Sequence, residues 1–374
     1  MKRLAFWFAL GFTFLIPWEN VIVFPGIGTI AKIIGLLAIG AGVLLAWARG
    51  KFFCHIFHAV GLVFVVWAWA SLLWSIEPAA TIARCITYTG LWLVSLVVYQ
   101  FARDQGSYRC FLWAYVLGAW IAAFATINNY LQALQVVYGR YAAPGFDPND
   151  LAFYLALAIP MAWYLGLEGR HRHARLVAWG LVPVALFAVL LTGSRSGALG
   201  IGVALLFILF SPLNRKIRLV EAGLVLAVTA FLLTVVPSEL YVRLGTIFHE
   251  LKGGTLNLRT IVWRAGLDVL ARHPLFGIGA GGFRYAVAPI FGAEAAPHNV
   301  FLAIAVENGL VGLSLWLLLM VVAFRGTIRL PRLERFMWLT VFGVLILAFF
   351  SLCFEWRKAS WLIMALGACR TGKE

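Results

Sequence analysis

Four arginines of this sequence are suited to binding a phosphate group: Arg84, Arg140, Arg195 and Arg259. Arg195 is flanked by the small residues 192–194 and 196–197, which leave backbone N–H groups and the guanidinium accessible. A guanidinium matches phosphate geometry because it donates two parallel hydrogen bonds to two oxygens. Each arginine taken alone could equally anchor a helix end at a membrane surface.

His298 is a candidate catalytic residue, because an imidazole exchanges a proton near neutral pH. Asn299 follows it directly, and Tyr88 lies one helical turn after Arg84, so both are candidate substrate-binding residues. On a helix that begins near His298, Glu307 would lie about 13 Å deeper. The alternatives stay open: a histidine at a membrane boundary is typical of an interfacial side chain, and Glu307 could be a structural or neutral carboxyl.

The composition is that of a polytopic membrane protein. Hydrophobic residues make up 63% of the 374 positions and charged residues only 12%, a balance that soluble domains of this size do not show. A bilayer core about 30 Å thick requires roughly 20 apolar residues of helix, and the alternation typical of barrel strands is absent. The apolar runs therefore predict an all-α fold with about twelve membrane-spanning helices, the first over residues 4–24 and the last over 358–369.

The distribution of basic residues predicts the orientation. With the N-terminus in the cytoplasm, eighteen of the thirty Lys and Arg residues fall in short inner segments or tails, beside anionic membrane lipids. We therefore expect both termini inside the cell, and the four arginines and His298 on the outer face. The net charge of +15 follows from this topology, so it does not indicate nucleic-acid binding.

Residues 237–297 are too long for a simple connection between spans. Apolar residues between Leu258 and Val269 recur at helical spacing, which predicts an amphipathic helix over the outer membrane face. No Ser- or Gly-rich linker interrupts the chain. We expect one membrane domain over residues 1–374, in which 237–297 is a periplasmic loop and its helix a lid over an outer groove.

The glycine-rich sequence at 277–282 has the spacing of a dinucleotide-binding motif, but its context does not fit. Such a motif follows a buried strand and opens a helix, whereas here His273-Pro274 ends a helix and no βαβ unit is present. We interpret this segment as a flexible turn.

Taken together, these residues resemble the O-antigen ligase family, in the wider group that contains O-antigen polymerases and bacterial O-oligosaccharyltransferases. The likeness lies in three stretches: His298-Asn299 followed after nine residues by Gly309-Leu310-Val311-Gly312, Arg195 with Leu199, and Arg259 to Trp263 continuing into residues 273–275 and 277–279. It spans roughly residues 190 to 320. Arg84 and Arg140, in the first half, match more loosely.

The resemblance implies a GT-C-like, inverting glycosyltransferase that needs neither a metal nor a cofactor. It would take a glycan from an undecaprenyl diphosphate carrier and join it to a lipid A-core sugar, at the periplasmic face of the bacterial inner membrane. Arg84, Arg195 and Arg259 would bind the diphosphate. The further candidates for substrate contact are Arg140, Tyr88 and Asn299.

This chemistry suits the residue types. Breaking a sugar–diphosphate bond builds negative charge on the departing oxygen, which fixed guanidinium groups stabilise. The attacking sugar hydroxyl must lose a proton, and His298 is the candidate base because nearby guanidinium charges disfavour its imidazolium form. The rival bases are Asp147, Asp150 and Glu294.

Two other functions remain open at this point. An O-antigen polymerase would use the same donor but extend a carrier-linked chain. Weak features favour a ligase: the short length, the single long outer loop and the expected lack of an added soluble C-terminal domain. A transporter or flippase usually carries ionisable residues near the membrane midplane, often in two related halves. Here the charges gather at one surface and the halves look unlike.

Overall fold

A computed structural model describes residues 1–50, 53–136, 139–211, 223, 227–228, 230–232, 234–246 and 258–369. In these ranges the regular structure is α-helical, apart from short 3-10 turns and one hairpin that pairs Val23–Phe24 with Gly28–Thr29. The helices are α1 (Lys2–Leu15), α2 (Ile30–Arg49), α3 (Ile56–Ala70), α4 (Pro78–Ala102), α5 (Gln105–Leu131), α6 (Pro148–Glu168), α7 (Arg172–Leu191), α8 (Arg195–Phe210), α9 (Ser238–Gly245), α10 (Arg259–Arg272), α11 (Phe283–Phe291), α12 (Val300–Ile328), α13 (Arg332–Ser351) and α14 (Lys358–Ala368).

Eight of the described helices are long and apolar enough to cross a membrane: α2 to α7, α12 and α13. The predicted all-α, multi-pass membrane fold is confirmed. The number of twelve spans stays a prediction, since α8 and α14 are shorter and most of the predicted span 219–236 lies outside the described residues. Inner segment 214–218 and the basic tail residues Arg370 and Lys373 also lie outside them.

The first helix ends earlier than the predicted span over residues 4–24. It stops at Leu15 and continues as a single 3-10 turn, Ile16–Trp18. Pro17 supplies the reason, because its nitrogen has no hydrogen to donate to the turn before it. The chain then enters the short hairpin.

The chain forms two compact units. The first comprises Met1–Ala38, Phe101–Ile247 and Ile328–Ala348, and the second Ile39–Gln100, Phe248–Thr327 and Phe349–Glu374. The single membrane domain over 1–374 remains a prediction.

The first unit is built around α6. This helix packs against α5, α7 and α8, and every residue from Leu151 to Leu165 is buried. A helix that is apolar on all sides lies in a protein core or in lipid, and here neighbouring helices cover it. Its start is fixed by Asp147, whose Oδ1 accepts the backbone N–H groups of Asn149 and Asp150, and Pro148 is the first helical residue.

The second unit contains an aromatic cluster that joins α3, α4, α12 and α14. The ring centroids of Phe64 and Tyr88 lie 5.2 Å apart, those of Phe64 and Trp316 5.4 Å, and those of Trp316 and Trp361 6.0 Å. Large aromatic side chains contribute much of the packing in such cores. This cluster fixes the part of α4 that carries Arg84.

The predicted amphipathic helix within 237–297 is α10, which buries Val262, Ala265 and Val269 against α11. The buried face is narrower than the sequence pattern indicated, because Leu258 and Ile261 are exposed. The lid role and the outer location of this segment stay predictions, and residues 247–257 lie outside the described part of the chain.

Helix α12 is broken at Gly309, where φ is 68° and ψ is −175°. Only glycine adopts this conformation readily. The break interrupts the helical hydrogen bonds, and the turn at 274–279 replaces them. The backbone N–H groups of Ile278 and Gly279 donate to the carbonyl groups of Val306 and Glu307, at 3.1 and 2.9 Å.

The same turn also accepts hydrogen bonds from the second half of α12. The N–H groups of Leu310 and Val311 donate to the carbonyl groups of Pro274 and Leu275, at 2.8 and 3.4 Å. The glycine-rich sequence is therefore a turn, as predicted. Its flexibility stays a prediction. Its glycines allow close approach to α12, since a Cβ at Gly277 would lie 2.6 Å from the Glu307 carbonyl oxygen.

Candidate active site

Arg140 lies in the first unit, in the loop between α5 and α6, and is almost fully buried. Its Nε donates to the Thr192 carbonyl oxygen at 2.6 Å and its Nη2 to Asn149 Oδ1 at 2.8 Å. Asn149 Oδ1 also accepts the Ser194 hydroxyl at 2.9 Å. These bonds tie the start of α6 to the turn that precedes α8.

Arg195 is the first residue of α8, and a third arginine, Arg243 of α9, lies close to it. Arg195 Nη1 donates to Thr246 Oγ1 at 3.2 Å, and this hydroxyl donates to the Arg243 carbonyl oxygen at 2.7 Å. Arg243 Nε donates to the Gly193 carbonyl oxygen at 3.0 Å. Gly193 has a φ of 56°, and a Cβ there would lie 3.2 Å from Arg243 Cδ and 3.6 Å from Arg140 Cγ.

Arg140, Arg195 and Arg243 are named the arginine cluster below. Burial, followed by the charge of Arg243, lowers the pKa of Arg140, while Asp147 acts in the opposite direction. Burial and the charge of Arg195 lower the pKa of Arg243. The normal pKa of a guanidinium is so high that both groups stay protonated at neutral pH. Three neighbouring positive charges repel one another, so an anion bound among them would be stabilised.

Arg84 lies in the second unit on α4, where its Nη1 contacts Glu355 Oε1 at 2.6 Å. Its Cζ is 5.9 Å from the centre of the Tyr88 ring and 5.4 Å from that of Trp356. Glu355 lies in the loop between α13 and α14, and its side chain is 1% exposed. The guanidinium of Arg84 is thus held by a carboxylate and two rings.

A second buried carboxyl, that of Glu307 on α12, lies near this ion pair. Glu307 Oε1 accepts the Phe283 backbone N–H at 3.4 Å. Burial raises the pKa of the Glu355 carboxyl to about 7, the charge of Glu307 adds to this rise, and Arg84 partly offsets it. The Glu355 carboxyl is therefore partly protonated near neutral pH.

His298 lies at the N-terminal end of α12 with a φ of 46°, in the left-handed region that few side chains adopt. Asn299 caps the helix, since its Oδ1 accepts the Leu302 N–H at 3.1 Å and its carbonyl accepts that of Ala303. A strained backbone next to a helix cap is common at functional sites, where surrounding contacts maintain it.

Arg259 begins α10, and the helix is tied to the His298 segment through Trp263, one turn further along. Trp263 Nε1 donates to the Pro297 carbonyl oxygen at 2.7 Å. A hydrogen bond therefore ties the Arg259 to Trp263 stretch of the family resemblance to the segment that carries His298. Tyr88, in contrast, is fully buried in the aromatic cluster.

The structure thus places the predicted site residues in two groups. Arg140 and Arg195 belong to the first unit, and the second unit holds Arg84, Tyr88, Arg259, His298 and Asn299. Among the rival bases, Asp147 caps α6, and Glu294 lies 3.6 Å from Arg284 at an exposed position. The catalytic role of His298 and the diphosphate-binding roles of the arginines remain predictions.

Two residues of these groups were missed in the sequence. Arg243 lies within residues 237–297, and no neighbouring sequence feature distinguished it from the other basic residues there. Glu355 is separated by 271 positions from Arg84, its partner. The only signal for Glu355 was an acidic residue, flanked by Cys353 and Trp356, between two apolar segments.

The fold and the site define a multi-pass helical membrane protein with a cluster of phosphate-suited arginines, of which Arg140 is buried and Arg195 and Arg243 are partly exposed. Comparison with known families agrees with the resemblance found in the sequence. Residues 179–317 match the family model described as O-Antigen ligase. The predicted resemblance to the O-antigen ligase superfamily is thus confirmed over this segment, which contains Arg195, Arg243, Arg259 and His298.

Two curated proteins are similar to this chain. One is the exopolysaccharide production protein ExoQ of Rhizobium meliloti, 25% identical over 288 residues, which cover 71% of this chain and 64% of that protein. The other is an O-antigen ligase of Pseudomonas aeruginosa, 28% identical over 218 residues, which cover 57% of this chain and 50% of that protein. The aligned part of the chain therefore spans between half and two thirds of each relative.

Proposed function

We propose that this protein is an inverting, metal-independent glycosyltransferase of lipopolysaccharide biosynthesis. It transfers an O-antigen glycan from undecaprenyl diphosphate to a lipid A-core sugar, at the periplasmic face of the bacterial inner membrane. The single observation that carries the proposal is the arginine cluster, which includes Arg195 and lies partly within the segment that matches the ligase family.

The arginine cluster supports diphosphate binding by charge and by geometry. Arg140 and Arg243 donate to carbonyl and amide oxygens rather than to carboxylates, so these bonds orient the side chains without neutralising them. As the sugar–phosphate bond breaks, negative charge develops on the departing diphosphate. Fixed donors aimed at such a charge contribute about 10²–10³ each to the rate in comparable enzymes.

His298 is the proposed general base. In the reaction an oxygen of the acceptor hydroxyl forms a bond to C1 of the donor sugar, and the bond from C1 to the diphosphate oxygen breaks. The hydroxyl proton passes to His298, and undecaprenyl diphosphate leaves as an anion. Attack from the face opposite the leaving group inverts the configuration at C1. A positioned base contributes about 10²–10⁴ to such a step.

Transfer in vitro tests this proposal. Purified protein in nanodiscs is mixed with an undecaprenyl diphosphate-linked glycan and lipid A-core, and the joined product is measured by gel shift and mass. We expect Arg195→Ala and His298→Ala to abolish transfer, and Arg264→Ala, on the same helix as Arg259, to retain it. Absence of any product with the unmodified protein would contradict the proposal.

The polymerase remains the second candidate, because one of the two relatives is named for exopolysaccharide production. A gene deletion separates the candidates. Loss of all polymer on lipid A with carrier-linked polymer retained indicates a ligase, whereas accumulation of single repeat units indicates a polymerase. If the purified protein moved a labelled lipid-linked glycan between leaflets without forming a glycosidic bond, it would be a flippase.

A further inference from the structure

A cavity of about 380 Å³ lies within the second unit. Its lining includes Arg84 and Thr87 of α4, Glu307 of α12, and the loop residues Glu355 and Trp356. The volume is near the lower end of the range for small-molecule sites, about 300–1,000 Å³. The cavity can therefore hold a small ligand or the end of a larger one.

Two buried oxygen atoms at this cavity lack a hydrogen-bond partner in the described part of the protein: Glu307 Oε2 and Glu355 Oε2. The residues are 3% and 1% exposed. A buried carboxyl oxygen without a donor is costly, and such groups in native structures are nearly always paired. Both atoms belong to residues of the cavity lining, so a ligand there whose hydroxyl or N–H groups reached them would satisfy them.

The charges at the cavity narrow the ligand class. Arg84 is held by Glu355, and Glu307 adds a second acid beside the pair. Arg284, which also belongs to the lining, is paired with Glu294 at 3.6 Å. A phosphate would be repelled by these carboxyls and would have to displace Glu355 from Arg84. A neutral ligand with several hydroxyl groups fits better, since hydroxyls donate to carboxylate oxygens and accept from a protonated carboxyl.

The cavity also adjoins the segment that carries His298. Pro297 and Cys353 both belong to its lining, and the backbone N–H of His298 faces the Cys353 sulfur. Trp263 holds Pro297 through its carbonyl oxygen. A sugar ring in the cavity would thus lie next to the residue proposed as base, which must contact the acceptor hydroxyl and not the donor glycan.

We propose that this cavity binds a sugar ring of the acceptor through its hydroxyl groups, with Glu307 and Glu355 as hydrogen-bond acceptors and Arg84 orienting Glu355. This inference rests on the proposed function only for the identity of the sugar as acceptor. Arg84 then acts as a positioning residue for a carboxylate, in place of the diphosphate-binding role expected from the sequence.

The test measures binding separately from transfer. The probe is the water-soluble core oligosaccharide released from lipid A-core, titrated by microscale thermophoresis onto the full chain in nanodiscs. Undecaprenyl diphosphate without a glycan is titrated in parallel. The variants are Glu307→Gln and Glu355→Gln, which remove a charged acceptor, and Ala83→Phe, which fills the cavity from α4 where Ala83 is part of its lining. Ala79→Phe, at an exposed position of the same helix, is the matched control.

We expect each of the three variants to weaken oligosaccharide binding at least about tenfold. The two glutamine variants weaken a hydrogen bond to a charged group, and Ala83→Phe occupies the space of the ligand. Binding of undecaprenyl diphosphate should stay unchanged in them, and Ala79→Phe should bind both probes normally. Unchanged oligosaccharide affinity in all three variants would overturn the proposal. It would also be overturned if the three variants instead lost affinity for undecaprenyl diphosphate.

Failure of the proposed function gives a different result. If the unmodified protein binds the oligosaccharide through these residues but forms no glycosidic bond, the cavity assignment is supported and the proposed glycosyl transfer is refuted. If transfer occurs but its KM for lipid A-core is unaffected by Ala83→Phe, transfer stands and the cavity assignment fails.

Discussion

Replacing Gly309 by alanine perturbs the break in α12 with a single methyl group. A Cβ at this position would overlap the carbonyl group of Leu275 and lie 2.6 Å from the backbone nitrogen of Phe276. Both neighbours are backbone atoms of the turn at 274–279, so no side chain can rotate away to make room. Either the turn moves or α12 changes its conformation.

The expected cost has two parts. Backbone conformations of this kind cost about 1–3 kcal/mol when a side chain is present. If the turn is displaced, the four backbone hydrogen bonds between it and α12 are lost as well, each contributing about 0.5–1.5 kcal/mol. The total is then about 3–9 kcal/mol, a large fraction of the stability of most domains.

The assay is thermal unfolding of the purified protein in detergent, followed by size-exclusion chromatography with fluorescence detection. Gly90→Ala on α4 is the control, because nothing lies within 4 Å of a Cβ at that position. We expect Gly309→Ala to melt far below the unmodified protein, or to be recovered only as aggregate, and Gly90→Ala to melt normally. Equal melting temperatures for both variants would refute this account of the break.

Three further predictions concern the proposed site. Arg243→Ala should weaken undecaprenyl diphosphate binding about tenfold in thermophoresis, because it removes one charge-assisted donor; normal affinity would exclude Arg243 from the site. Trp263→Phe removes the 2.7 Å bond to the Pro297 carbonyl, so the transfer rate in vitro should fall while carrier affinity is retained; an unchanged rate would show that this bond does not position the base. Between pH 4.5 and about 7, the folded protein keeps a proton on Glu355, whereas the unfolded chain has released it. Stability relative to Glu355→Gln should therefore fall as pH rises through this window, by up to about 1.4 kcal/mol per pH unit, whereas parallel melting temperatures from pH 5 to 8 would contradict the raised pKa.

The helical framework could be predicted because the signal for each membrane helix is local. An apolar run of about 20 residues identifies a span whatever its neighbours are. The first helix shows the limit of this reasoning: the apolar run continues beyond Leu15, but Pro17 ends the regular hydrogen bonds before the run does. Local composition predicts that a helix exists more reliably than where it ends.

The candidate site could be predicted only in part, because its contacts join distant positions. Arg195 and His298 stand beside small residues or proline, and these neighbours drew attention to them. Glu355 had no such neighbours. It belongs to the site through its ion pair with Arg84 of α4, and the distance between the two residues in the sequence does not predict this contact. For the turn at 277–282, the glycines predicted a bend but not the helix that the bend must approach.

The mutual hydrogen bonding of α12 and the glycine-rich turn has a consequence for engineering. Each of these two backbone segments supplies hydrogen-bond partners for the other, so displacing one alone would leave polar groups of the other unsatisfied. Chimeras made to change sugar preference should therefore move residues 273–282 and 305–312 together. Transplanting only the segment before Pro297 would join halves from two parents that no longer match.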